Sequence, residues 1–387
     1  MTPQEFYRQS NLIENPFRSN PVYGADPRMN IWVGYEKQRH QLIKYLSRSR
    51  ADQVGNSNFI MIYGDYGVGK SHALLWARYQ ILQHQQEEFD ALCYLIPTLK
   101  KDKGKLTFAG AFVDDLVDRC GLHNDVREFR NFLDMSILRY RDANHAGATV
   151  TNDEIVDRLG FPAELGTLAK EIYRASTVPL INELLMPRGL TDYQATALFS
   201  RLVNLFVFGV EISGQVTRFK KAVYLMIDEL DELLNVSAKE ARDVNDMLRH
   251  IYDWCPNCFG LVIALSAESA SFSAIFEQYI LGRIQRQIQM EELGKEDAME
   301  FVCKILDGSR ATADPRKAGY FPFEESAVEA VVAQLRQITP RKIVNTMQEV
   351  LEEVRLAGLD PSSQQVDISY LDEHEILDEV LGDGGIS

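Results

Sequence analysis

The sequence predicts an α/β fold in which a parallel sheet carries a phosphate-binding loop, a helical insertion interrupts the sheet, and a helical lid domain follows it. Three observations lead there. Short, near-continuous apolar runs alternate with longer helix-forming stretches, the pattern of strands covered on both faces. Residues 64–71 read Gly-Asp-Tyr-Gly-Val-Gly-Lys-Ser, a complete G-x-x-x-x-G-K-[ST] motif. After about residue 291 the strand-like runs stop and only helical periodicity remains.

Taken in order, the apolar runs place strands at 59–63, 91–97, 222–228, 260–266 and about 285–290. The first of them, Phe59-Ile60-Met61-Ile62-Tyr63, feeds the 64–71 loop, and Ser71 to Gln86 opens beyond it as a helix. Between the second and third strands lies an insertion at about 107–209. It reads as helices near 107–119, 124–140, 166–175 and 191–209, punctuated by Pro162, Pro179 and Pro187. The C-terminal part predicts helices near 294–307, 324–337 and 340–357. Val328, Val331, Val332, Leu335 and Ile338 fall at helical spacing there, and Glu324 and Glu325 sit where a helix dipole favours acids. The expected segments are an N-terminal stretch 1–57, a nucleotide-binding domain 58–290, a helical lid 291–358 and an acidic tail 359–387. Ile368, Tyr370, Leu371, Ile376, Leu377, Val380 and Leu381 leave the tail either a docked short helix or a partly disordered end.

The chain has 387 residues, 45% hydrophobic and 25% charged, ordinary values for a globular protein of two or three domains. No apolar run approaches the ~20 residues that span a membrane, and residues 1–10 lack a signal-peptide core, so a cytoplasmic protein is expected. The net charge of −15 at first argues against nucleic acid, but its distribution is uneven. Residues 361–387 hold Asp367, Asp372, Glu373, Glu375, Asp378, Glu379 and Asp383 and no Lys or Arg. Residues 1–50 carry Arg8, Arg18, Arg28, Lys37, Arg39, Lys44, Arg48 and Arg50 against four acids, and Lys100, Lys101, Lys103 and Lys105 form a second basic patch. A local basic surface is compatible with the acidic sum. Of five cysteines, Cys255-Pro-Asn-Cys258 form the one close pair. A structural zinc needs four ligands; His250 would be a third and no fourth is evident, so two small, semi-buried residues before a strand are expected instead.

The loop chemistry is specific. Gly64, Gly67 and Gly69 let the backbone curl so that N–H groups of Gly64, Asp65, Tyr66, Gly67, Val68, Gly69 and Lys70 point at an anion, and the helix starting near Lys70 adds its positive dipole end. Lys70 would reach the β- and γ-phosphates and the Ser71 hydroxyl would hold Mg2+. At 222–229 a buried apolar strand ends in Asp228-Glu229. Two adjacent carboxylates there are costly unless a cation or water faces them, which makes Asp228 a Mg2+ ligand and Glu229 the general base for an attacking water. Asp231 and Glu232 are expected to cap the next helix. Ser266, ending the 260–266 strand, is either a γ-phosphate sensor or a helix N-cap. Phosphoryl transfer also needs a positive charge near the developing transition state, and Arg283 and Arg341 are the candidates, each otherwise a surface arginine.

This ordered set resembles the AAA+ ATPase family across about residues 30–357: the Walker A motif GDYGVGKS, the Walker B motif VYLMIDE, the strand-end Ser266, Arg283 before the last strand, and Pro340-Arg341-Lys342. The resemblance implies that Ile31-Trp32-Val33-Gly34-Tyr35-Glu36 lines the adenine pocket, with Val33 against the base. It implies that Arg283 is an arginine finger acting on a neighbouring subunit's ATP, with Arg286 as the alternative finger, and that Arg341 is the second sensor. Asn15-Pro16-Phe17, the Val33–Glu36 box and the Pro340–Lys342 turn are similar to the initiator group, which holds origin-recognition ATPases and is similar to transposition regulators. Two functions follow as expectations. One is an ATP- and Mg2+-dependent, homo-oligomeric switch on DNA or a DNA-bound complex, with Lys100, Lys101, Lys103 and Lys105 contacting duplex DNA. The other is a protein-directed regulatory ATPase of a defence or signalling complex, docking through the acidic tail without binding DNA itself.

Overall fold

The computed structural model describes residues 1–17, 27–84, 86–102, 105–145 and 149–382; of the predicted charges, Arg18, Lys103 and Asp383 lie outside the described residues. The apolar runs become strands because β-branched and aromatic residues fit a surface covered on both sides. They are β1 (Asn58–Gly64), β2 (Ala91–Ile96), β7 (Ala222–Ile227), β8 (Phe259–Ser266) and β9 (Arg286–Gln289), joined in one sheet of order β2-β7-β8-β1-β9. β2 pairs with β7 and β7 with β8 in parallel, Ile96 opposite Ile227 and Ile227 opposite Ile263. Every residue of β2 and β7 is buried.

Two small hairpins come as additions to the predicted strands: β3 (Lys100–Asp102) with β4 (Lys105–Thr107), and β5 (Val210–Ile212) with β6 (Gln215–Thr217). The Lys100–Lys105 segment, expected as a loop, is therefore a hairpin in which Lys100 opposes Thr107 and Asp102 opposes Lys105. The helix expected over 71–86 is α-helical at Lys70–Tyr79 and then opens into a wider π-type turn at Gln80–His84, which turns the consecutive side chains Gln80 and Ile81 both inward.

The chain forms two compact units interleaved in sequence. One comprises Gln41–Tyr63 and Gln80–Ile288, hence nearly all of the sheet. Its core joins the sheet to the insertion, whose helices include Leu122–Asn144, Ala163–Arg174 and Asp192–Val207. Phe199 is the joint: its ring centroid lies 6.0 Å from Tyr94 on β2, 6.4 Å from Phe259 on β8 and 6.1 Å from Phe108. Phe129, Phe206 and Phe219 form a second aromatic knot, all pairs within 5.6 Å.

The other unit comprises Met1–His40, Gly64–Tyr79 and Gln289–Ser387. Its core is built by the helices Lys295–Asp307, Glu325–Ala333 and Pro340–Leu356 together with Phe6, Leu12 and Phe17 from the N-terminal segment. The acidic tail is a packed element. Its helices Ile368–Glu373 and Ile376–Leu381 bury Tyr370, Leu371, Ile376, Leu377 and Val380 in this core, while Asp372, Glu373, Glu375, Asp378 and Glu379 face solvent. Among the described residues, no helix is long and apolar enough to cross a membrane.

Candidate nucleotide site

The phosphate loop starts at the last residue of β1. Gly64 takes φ 148°, and a Cβ there would stand 2.1 Å from the Met290 carbonyl oxygen, so only glycine fits. Gly67 (φ 86°) is constrained by its positive φ and less tightly by space, its imagined Cβ 3.1 Å from the Arg341 Cβ and 3.3 Å from the Thr339 Oγ1. Val68 is fully buried and anchors the loop, whereas Asp65 and Tyr66 are exposed. Lys70 is the first residue of the Lys70–Tyr79 helix and is 6% exposed. Its ammonium donates to the Gly64 carbonyl at 3.0 Å and the Asp65 carbonyl at 2.6 Å, an amine curled into the loop that precedes it. Ser71 follows, half-buried in the first helical turn. A glycine-shaped cradle, a buried ammonium and a helix N-terminus together fit a phosphate chain.

The Ile31–Glu36 box belongs to the same unit. His72 Nε2 donates to the Ile31 carbonyl at 2.7 Å, and burial holds the imidazole below its ordinary value, so it is neutral near pH 7. The rings of Trp32 and Trp76 meet at 4.5 Å. Val33 is 7% exposed, Gly34 takes φ 63° against Leu293, and the Tyr35 hydroxyl donates to the Glu291 carbonyl at 2.5 Å. The box is thus pinned to the loop helix and to the lid segment. Arg341 completes this group: its backbone N–H donates to the Gly67 carbonyl at 3.3 Å and its guanidinium carbon lies 4.2 Å from the Tyr66 ring centroid. The structure therefore gathers Gly64–Ser71, Val33 and Arg341 within one unit.

Asp228, Glu229, Ser266 and Arg283 belong to the other unit. The Asp228 N–H donates to the Ile96 carbonyl at 2.9 Å, which continues the β2–β7 ladder one residue past the strand. Asp228 Oδ1 then accepts the Glu229 N–H at 2.9 Å, and Glu229 adopts the left-handed backbone (φ 56°) that swings its side chain out of strand register. Burial of the carboxyl, then the neighbouring charges of Asp228, Asp231 and Glu232, push the Glu229 carboxyl above its ordinary value, and a hydrogen bond from the Thr98 hydroxyl opposes them. A carboxylate and a hydroxyl-bound carboxyl after a buried strand are hard oxygen donors of the kind Mg2+ takes.

Asp231 does not cap the following helix as expected. Its Oδ1 accepts the Ser266 N–H at 3.1 Å, tying the end of β8 to the turn after β7, and Ser237 caps the helix Ala238–Trp254 instead. Arg283 is held by Asp253 in a two-point pair (2.8 and 2.7 Å) and donates also to the Tyr279 carbonyl at 2.7 Å. Arg286 stacks at 5.3 Å over Tyr45, with its buried Nε lacking an acceptor among the described residues.

Thr98 and Thr339 are site residues that the sequence does not mark. Thr98 lies two positions beyond β2, and only the β2–β7 pairing brings it to Glu229. Thr339 has a local signal, a Thr before Pro-Arg-Lys with the spacing of an N-cap, and its hydroxyl accepts the Lys342 N–H at 3.3 Å. Cys255 and Cys258 are buried free thiols, and burial pushes the first up to about 12. His250 stacks on Trp254 at 4.8 Å.

No family model matches the chain, and no curated protein matches it either. Solved structures do. The ORC2 protein of Aeropyrum pernix in its ADP form is 12% identical over 96% of this chain and 74% of that chain, with a TM-score of 0.51. Cdc6p from Pyrobaculum aerophilum is 11% identical over 90% and 68%, with a TM-score of 0.47. The RuvB Holliday junction branch migration motor of Thermotoga maritima is 11% identical over 91% and 72%, with a TM-score of 0.43. At 12% identity and a TM-score of 0.51, the likeness to the ORC2 protein speaks for the fold alone. The sheet order, the loop after β1 and the carboxylates after β7 agree with it: the chain has the α/β phosphate-loop fold of the AAA+ type with a C-terminal helical region, and it resembles the initiator group.

Proposed function

We propose that this chain is a cytoplasmic AAA+ ATPase that binds ATP with Mg2+ and hydrolyses it, acting as a homo-oligomeric nucleotide switch on DNA or a DNA-bound complex. The observation that carries the reading is the loop: Gly64 in a place where only glycine fits, Gly67 and Gly69 at positive φ, a buried Lys70 ammonium, and the lid residue Arg341 against the same turn. In this reading Gly64–Ser71 cradle the phosphates, Val33 borders the base, and Ser71 and Asp228 hold Mg2+. The metal ion would neutralise phosphate charge when bound. Glu229 takes a proton from water; the pull of burial and neighbouring acids on its carboxyl makes it a stronger base than an ordinary glutamate. Ser266 and Arg341 report on the terminal phosphate, and Arg283 serves a neighbouring subunit's nucleotide. A solvent-facing row of acids on the packed tail, Asp372, Glu373, Glu375, Asp378 and Glu379, favours the second reading, a protein-directed regulatory ATPase docking through that face.

The test separates binding from chemistry. Lys70→Ala is expected to lose ATP binding by about tenfold or more, the scale of a charged hydrogen bond to phosphate. Glu229→Gln is expected to retain binding and lose about a hundredfold or more in turnover, the scale of general-base catalysis. Titration with fluorescent ATP and a phosphate-release assay read the two. A Glu229→Gln chain that still turns over at the wild-type rate overturns the assignment of the base.

A further inference from the structure

Tyr66 stands in the phosphate loop as a residue 72% exposed, so burial of apolar surface does not account for an aromatic residue there. What its ring meets is Arg341, whose guanidinium carbon lies 4.2 Å from the ring centroid, well inside cation–π range. The backbone brings the two together, since the Arg341 N–H donates to the Gly67 carbonyl at 3.3 Å and a Cβ on Gly67 would come within 3.1 Å of the Arg341 Cβ.

Arg341 is also in an electrostatically adverse place. Thr339 caps the 17-residue helix Pro340–Leu356, so Arg341 and Lys342 occupy its first turn, which holds no acid. Cations at a helix N-terminus oppose the dipole and are favoured only when an anion joins them. Among the described residues no carboxylate pairs with Arg341, whereas Arg283 is neutralised by Asp253. An aromatic face restrains a guanidinium differently from a carboxylate. It holds the flat face and leaves both the charge and the N–H edge for a further acceptor.

We propose that Tyr66 is a positioning residue that holds the Arg341 guanidinium beside the phosphate loop, and that this pair sets the preference of the chain for a nucleoside triphosphate over a diphosphate. The inference rests on the phosphate-loop reading above. Lys70 and the loop N–H groups serve phosphates common to both nucleotides. The terminal phosphate of the triphosphate adds the charge that the Tyr66-held guanidinium meets, so loosening Arg341 lowers affinity for the triphosphate alone. An exposed cation–π contact corresponds to a factor of about two to five in an equilibrium constant.

The experiment measures Kd for ADP and for a slowly hydrolysed ATP analogue, each with Mg2+, on the full chain and on Tyr66→Phe, Tyr66→Ala, Arg341→Ala and the Tyr66→Ala/Arg341→Ala double variant. Tyr66→Ala is expected to weaken the triphosphate analogue about two- to fivefold and leave ADP unchanged, with the unchanged ADP affinity showing that the loop still folds. Tyr66→Phe keeps the face and is expected to match the wild type; in the Arg341→Ala background, removing Tyr66 adds nothing. Equal losses for both nucleotides, a Tyr66→Phe loss as large as that of Tyr66→Ala, or a further loss in the double variant overturns the proposal. An unchanged Tyr66→Ala removes it while leaving the phosphate loop standing, whereas a wild-type chain that binds neither nucleotide removes the phosphate-loop reading and this proposal with it.

Discussion

In the proposed mechanism Glu229 is the general base, and its environment is set by its neighbours rather than by its own position. The left-handed backbone it adopts costs a non-glycine residue about 1 kcal/mol, and the Asp228 carboxylate receives its N–H there. Its carboxyl is raised by burial first and then by Asp228, Asp231 and Glu232. A general base must be deprotonated, so turnover falls as pH drops through that raised value, and the acid limb of kcat lies above the usual glutamate range. Asp231→Asn removes one of the negative charges, stabilises the ionised form of Glu229 and moves the acid limb to lower pH, while the amide oxygen still accepts the Ser266 N–H. Stopped-time phosphate release between pH 5 and 8 checks it; a limb that stays in place or moves upward refutes the coupling. The sequence marks Asp228 and Glu229 clearly, because paired carboxylates at the end of a buried apolar run are costly without a cation or water to face. It does not mark Asp231, whose bond to Ser266 exists only once β7 and β8 are neighbours.

Element by element, legibility follows the sequence range of the interactions that form each piece. Strands β1, β2, β7, β8 and β9 and the lid helices lie within a residue or two of expectation, except that the helix at 324–337 stops at Ala333; their signal is local periodicity. The β3–β4 hairpin reads as a loop in the sequence because three-residue strands are too short for alternation to show, although Lys101 pairs with Leu106. That hairpin bears on partner choice. Lys100, Lys101 and Lys105 fall on its two strands, with Lys105 exposed, and a basic hairpin tracks a phosphate backbone through counterion release. If duplex DNA is the partner, replacing Lys100, Lys101, Lys103 and Lys105 by Ala weakens binding at low salt. It also makes the slope of log K against log salt shallower by about one for each phosphate that no longer meets a lysine. Fluorescence anisotropy with a labelled duplex across a salt series measures both. Binding that is unchanged in strength and slope assigns the DNA-facing surface elsewhere, and no binding at low salt favours the protein-directed reading.

On the scale of the whole molecule, the interleaving of the two units is the least legible feature. No composition shift in Met1–Phe17 signals that Phe6, Leu12 and Phe17 share a core with helices that begin almost 300 residues later, and hydrophobic packing at such separation leaves no local periodicity. The acidic tail is ambiguous in sequence for the same reason: its charges are solvent-facing decoration on helices whose apolar side is core. In the proposed homo-oligomer, a nucleotide could be served by one subunit or by two. Arg283 is held by Asp253 and the Tyr279 carbonyl within its own subunit, so service to a neighbour's phosphate requires the guanidinium to exchange the Asp253 pair for a phosphate of comparable charge. Arg286 has no such carboxylate partner among the described residues. Mixing inactive subunits distinguishes the two geometries. A Glu229→Gln subunit lacks the base but keeps both arginines; an Arg283→Ala subunit lacks the finger but keeps the base. In a head-to-tail assembly, equal random mixing rebuilds about a quarter of the interfaces with an intact base on one side and an intact arginine on the other, and ATPase activity returns to about that fraction of wild type. If Arg283 acts within its own subunit, or is a purely structural partner of Asp253, mixing restores nothing. The same mixture made with Arg286→Ala then identifies the finger, since mixing recovers activity only when the substituted arginine is the one that a Glu229→Gln subunit can supply across the interface to a subunit that keeps the base.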